Sequence, residues 1–177
     1  MKPVKEIIRI LSADEPDYSS ICNKLTEEDY LTVKKLTKHR SLAIATRAVI
    51  CLGWEGSEKW LDGIITAAKS DNPTLRLAAV QALGKIKGAG RNSEAVDLIG
   101  MLLNDKDLGV KKFALKTTGA VGSQESMLET ASENPADIFK LREKIKEISE
   151  GDQNDRIKKL AQDVFEQLKP SWDTKTL

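Results

Sequence analysis

Catalysis needs reactive groups that converge, and this 177-residue chain has few candidates. His39 is its single histidine, which leaves one possible imidazole base and rules out a multi-histidine metal cluster. Its neighbours Lys38 and Arg40 place it in a charged turn, where a solvated structural role is expected. Cys22 and Cys51 have no metal-ligand or redox-motif spacing, and Cys51 sits among apolar residues, so it reads as a small packed hydrophobe. The pair Glu27-Glu28 falls at a helix start, where the helix dipole already accounts for acidic residues. No G-x-x-x-x-G-K-[ST] or G-x-G-x-x-G loop occurs, and Gly88-Ala89-Gly90 follows no strand, so it reads as a helix terminator. No catalytic residue, metal site or cofactor is expected.

These groups gain meaning only from the elements that carry them. Three segments align on their glycines: Ala45–Gly53 (ATRAVICLG), Arg76–Gly84 (RLAAVQALG) and Lys111–Gly119 (KKFALKTTG). A fourth, Arg156–Glu166, matches through Ala161 but lacks the glycine. Ala48, Ala79, Ala114 and Ala161 share one column, where a small side chain lets a second helix come close. Upstream of these segments lie amphipathic runs, such as Trp60–Ala68 and Ala95–Leu103, with apolar residues at helical spacing. Each unit is therefore a helical hairpin too small to bury its own apolar face, and stacking supplies the missing burial.

Asp71, Asn72-Pro73, Arg76, Ala79, Leu83 and Gly84 carry a resemblance to the HEAT repeat family, including the HEAT-like repeats of phycobilisome lyases. The likeness extends over roughly Thr26–Lys169 and is strongest in the segment ending at Gly84. It implies an all-α solenoid, a right-handed superhelix of about four helical hairpins. It also implies that turn aspartates (Asp71, Asp105 or Asp107, Asp152) and the basic residues that follow them (Arg76, Lys111, Arg156) form a ladder linking repeats. The expected organisation is a single domain over 1–177, with an N-terminal cap at 1–25 and repeats at 26–54, 57–87, 93–121 and 135–169. A short inserted helix is expected at 123–133 and a polar tail at 170–177. Leu52, Leu83, Leu103 and Leu160 should be core residues, together with Ala48, Ala79 and Ala114.

Composition bounds the partner. Charge is balanced, with 28 basic and 27 acidic residues, whereas a dedicated duplex binder draws its nonspecific affinity from excess positive charge. The N-terminus has neither a long apolar core nor a small-residue cleavage site, and no run approaches the ~20 apolar residues of a membrane span. A cytoplasmic protein that does not enter membranes is expected, and a monomer.

The informative surface is the inner, concave face formed by the second helices. With Leu75, Ala78, Ala79, Leu83 and Ile86 assigned to the core, Gln81 and Lys85 face outward. The equivalent positions are Ile50 and Trp54 one repeat earlier and Lys116 one repeat later, with Lys112 and Lys159 in a neighbouring column. Trp54 either covers the adjacent helix or anchors a partner. The leading expectation is a non-catalytic protein-binding module (an adaptor, a chaperone-like factor or a toxin-neutralising immunity protein) that meets an acidic partner surface here. The alternative is a nucleic-acid binder resembling the HEAT-like DNA glycosylases, for which Arg47, Trp54 and Glu55 come nearest to an aromatic-plus-acid arrangement.

Overall fold

Most helices of this chain begin where a side-chain oxygen accepts an N–H group that the helix itself leaves free. The computed structural model describes residues 1–123 and 135–168, and among these it contains ten α-helices and no strand. The chain divides into two compact units, Met1–Lys87 and Gly88–Leu177. At their border Gly88 takes φ 80°, a left-handed conformation that glycine adopts without strain.

In the first unit the helices are α1 (Val4–Leu11), α2 (Tyr18–Cys22), α3 (Glu27–Leu36), α4 (Leu42–Glu55), α5 (Leu61–Ala68) and α6 (Pro73–Leu83). Thr26 and Asp29 form a capping box at the start of α3. Asp29 also accepts from Lys2, 3.3 Å from its Nζ, and so ties the N-terminus to the first hairpin. At α6, Asn72 Oδ1 accepts from Thr74 N–H at 3.0 Å and Pro73 occupies the first helical position. A 3-10 turn at Glu58–Trp60 leads into α5, so Trp60 precedes that helix rather than riding on it. Its ring stacks on Tyr30 of α3 with centroids 5.6 Å apart.

The hairpins α3–α4 and α5–α6 pack through their second helices, and α4 against α6 is the dominant contact. Gly53 explains why. A Cβ there would lie 2.6 Å from Ala82 Cα, so only glycine allows the two backbones to meet. The sequence places the end of this repeat at Trp54, one residue beyond Gly53. Gly53 lies inside α4, which runs one residue further, to Glu55, and is closed by Gly56 at φ 81°. Ala48, Leu52, Ala79 and Leu83 are fully buried, as expected of the core.

The second unit opens with a 3-10 turn at Ala89–Arg91, followed by α7 (Ser93–Leu102), α8 (Leu108–Ser123), α9 (Pro135–Gly151) and α10 (Asp155–Gln167). Asn92 caps α7 through Ala95 N–H, Asp107 caps α8 through Val110 N–H, and Asn154 caps α10 through Arg156 and Ile157 N–H. Gly119 lies within α8, where a Cβ would stand 3.2 Å from Gln167 Oε1 and 3.7 Å from Val164 of α10. Leu103 and Ala114 are buried. Leu160 is not a core residue: it is half-buried, while Ile157, Ala161 and Val164 fill the inner stripe of α10. Those three residues follow the i, i+4, i+7 spacing of one helix face, and Leu160, at i+3, lies on the flank of that face, where it stays partly open. The short helix expected at 123–133 and the tail 170–177 lie outside the described residues, except that Ser123 closes α8.

A rung of the expected ladder is formed as an ion pair: Lys111 Nζ lies 2.7 Å from Asp152 in the turn of the following hairpin. Both side chains are largely shielded. Burial opposes the charge on Asp152, but the Lys111 ammonium and the Asn154 N–H outweigh it and hold the carboxyl below its usual range. Arg76 donates Nη1–H to the carbonyls of Ser70 at 3.0 Å and Asp71 at 2.9 Å. It caps the chain between α5 and α6.

Candidate binding faces

Ile50 and Trp54 stand four residues apart on α4 and therefore share one face of that helix. Ile50 is half-buried, whereas Trp54 is 46% exposed, unusually open for so large an apolar side chain. Lys85, just beyond the end of α6, holds its ammonium 3.9 Å from the centre of the Trp54 ring. At this partly exposed site such a contact contributes ~0.5–1 kcal/mol and favours this orientation of the indole. The pair joins the second helices of consecutive hairpins. Gln81, one turn earlier on α6, is half-buried.

The second unit carries the other expected positions. Lys112 and Lys116 are exposed and four residues apart on α8, so they too share a helical face. Lys116 Nζ approaches the Phe113 ring at 5.4 Å. Lys159 is exposed on α10, the helix packed against α8.

Groups weighed as possible chemistry have structural employment. His39 is half-buried, and its Nδ1 accepts from Ser41 N–H at 3.0 Å beside the start of α4. Arg47 donates to the Leu11 carbonyl at 2.9 Å and so binds α4 to the end of α1. Glu55 accepts from Ser57 N–H at 2.9 Å. Arg47, Trp54 and Glu55 therefore do not stand as a free aromatic-plus-acid set. Among the described residues no group of three or more His, Cys, Asp or Glu side chains is placed to hold a metal ion.

Sequence reading did not single out a groove of about 390 Å³ between α3 and α5. Leu31, Lys34, Lys35, Lys38 and Asp62 line it, and Lys34 pairs with Asp62 across it. Leu31 and Lys35 stand four residues apart on one face of α3, and Lys38 follows in the turn beyond it. Nothing in the spacing shows that α5 leaves this face uncovered.

Alternate helices that pair into hairpins, packed through interior glycine and alanine, define a HEAT-like helical-repeat solenoid. The structure is similar to a chain of the CpcE–CpcF complex of phycocyanin lyase from a Nostoc species, with TM-score 0.68 and 14% identity over 91% of this chain and 96% of that one. A designed armadillo repeat protein matches with TM-score 0.51 and 14% identity over 94% of this chain and 82% of the other. An engineered protein matches with TM-score 0.50 at 13% identity. At such identities the likeness is one of fold. No protein-family model matches the chain, and no curated protein matches it in sequence.

No helix among the described residues is long and apolar enough to cross a membrane.

Proposed function

We propose that this protein is a non-catalytic repeat scaffold that binds another protein through the exposed faces of its second helices. The observation that carries the reading is the Trp54–Lys85 pair. An indole left 46% exposed, yet biased toward one orientation by a neighbouring ammonium, is partly pre-ordered and loses less freedom on binding. Ile50 extends the apolar surface along the same helix. Lys112, Lys116 and Lys159 supply positive charge for an acidic partner and act mainly on encounter rate. Membership of the similar Nostoc chain in a complex of two proteins supports a protein as the partner. The near-neutral net charge favours protein over nucleic acid. The reading places the protein in the cytoplasm as a monomer when free, in an adaptor, chaperone-like or immunity role.

The test is affinity capture from native lysate with the wild type and two variants, Trp54→Ala and Lys112→Glu/Lys116→Glu. The Lys69→Glu protein, altered at the end of α5, is the control. One protein should be retained by wild type and Lys69→Glu and depleted at least tenfold by Trp54→Ala. A partner held equally by all four proteins would place binding elsewhere, and salt-sensitive retention of nucleic acid instead would favour the alternative reading.

A further inference from the structure

Cys22 and Cys51 lie 29 residues apart in sequence, yet α2 and α4 bring them into contact. The Cys22 thiol points at the Cys51 carbonyl with Sγ···O 3.9 Å, and each thiol lies near enough to shift the ionisation of the other. Cys51 has no solvent-accessible surface, whereas Cys22 is only half-buried. The arrangement thus has one thiol that a small reagent can reach and a second behind it.

We propose that Cys22 and Cys51 form a thiol pair that low-molecular-weight disulfides convert to an intramolecular disulfide, stapling the N-terminal cap to α4. Electrostatics supports the order of events. The neighbouring Cys51 thiol outweighs burial and brings the Cys22 thiol down to about 7, with help from the nearby Tyr30 hydroxyl. That hydroxyl is buried with no well-formed hydrogen bond among the described residues. The same contact, reinforced by burial, pushes Cys51 upward. Cys22 is therefore the nucleophile and Cys51 the resolving group.

In the first step the Cys22 thiolate attacks one sulfur of the small disulfide. The S–S bond breaks, a protein–reagent mixed disulfide forms, and the departing thiolate takes up the proton that Cys22 lost. In the second step Cys51 loses its proton and its sulfur attacks the Cys22 sulfur. The second half of the reagent leaves as a thiolate and takes up that proton. Two electrons pass from the two cysteines to one small disulfide, which becomes two thiols. The new bond fixes α2 to the helix that carries Trp54, three residues beyond Cys51.

Oxidised glutathione added to the full native chain tests this, with intact mass and thiol alkylation as readouts. Wild type should lose two hydrogen atoms in mass, retain no adduct and recover its mass with reductant, and its melting temperature should rise on oxidation. Cys51→Ala should stop as a one-glutathione adduct on Cys22. Cys22→Ala should react at least tenfold more slowly, and circular dichroism verifies that both variants are folded. A wild-type chain that stays unmodified, or that accumulates a stable adduct with Cys51 still free, overturns the proposal even if either variant fails to fold.

Discussion

Asp29 shows how one residue can be read correctly in kind and missed in reach. Its position after Thr26 marks it as part of a helix start, and the capping box is there. What spacing does not show is Lys2 arriving from 27 residues away, bringing both its backbone N–H and its ammonium to the same carboxylate. Thr26 N–H and then Lys2 N–H hold the Asp29 carboxyl far below its usual range. A carboxyl depressed in the folded state stabilises that state above the unfolded pKa of roughly 4, and the contribution fades as pH falls below it. Asp29→Asn should therefore melt lower than wild type at pH 7, and the gap should narrow as acid protonates the native carboxyl. Thermal unfolding between neutral and strongly acidic pH measures it. A gap independent of pH would mean that packing, not charge, holds Asp29 in place. His39 is a simpler case: in sequence it is a lone turn histidine, and in the fold its Nδ1 accepts from Ser41 N–H.

At the scale of elements, hairpins and caps were legible because they rest on local chemistry. Asn72-Pro73, Thr26 and Asn154 each announce a helix start through atoms within three residues of it. Packing between helices was legible only as a column of small residues. The repeat alignment picks out Gly53, but its meaning comes from Ala82, which belongs to another helix. Gly→Ala at an unencumbered helix position stabilises by up to ~1 kcal/mol. At Gly53 the sign should reverse, to a loss of ~1–3 kcal/mol or more, because the clash is with backbone and no side chain can turn aside. Gly151→Ala is the matched control, since a Cβ there meets nothing within 4 Å. Leu83→Ala, with a side chain fully buried in α6, should cost ~2–5 kcal/mol. Urea unfolding of the three variants decides the matter: equal stability of Gly53→Ala and wild type would contradict the close α4–α6 approach.

For the molecule as a whole, fold and use differ in how far the sequence reveals them. A repeat period is enough to propose a solenoid, because any hairpin of this kind must bury its face on a neighbour. The exposed surface answers to no such rule. Ile50, Trp54, Gln81, Lys112, Lys116 and Lys159 can be placed on helix faces by period alone. That Lys85 sits against the Trp54 ring depends on how two hairpins meet. The division of labour proposed for these residues has a kinetic signature. Association and dissociation rates of the captured partner, followed at low and physiological salt on immobilised wild type and variants, test it most directly. Trp54→Ala should raise the dissociation rate about tenfold or more and leave association nearly unchanged, as loss of a desolvated anchor requires. Lys112→Glu/Lys116→Glu should slow association most at low salt, where charge steering is least screened. Wild-type rates in both variants, with folding intact, would contradict the assignment of binding to these faces.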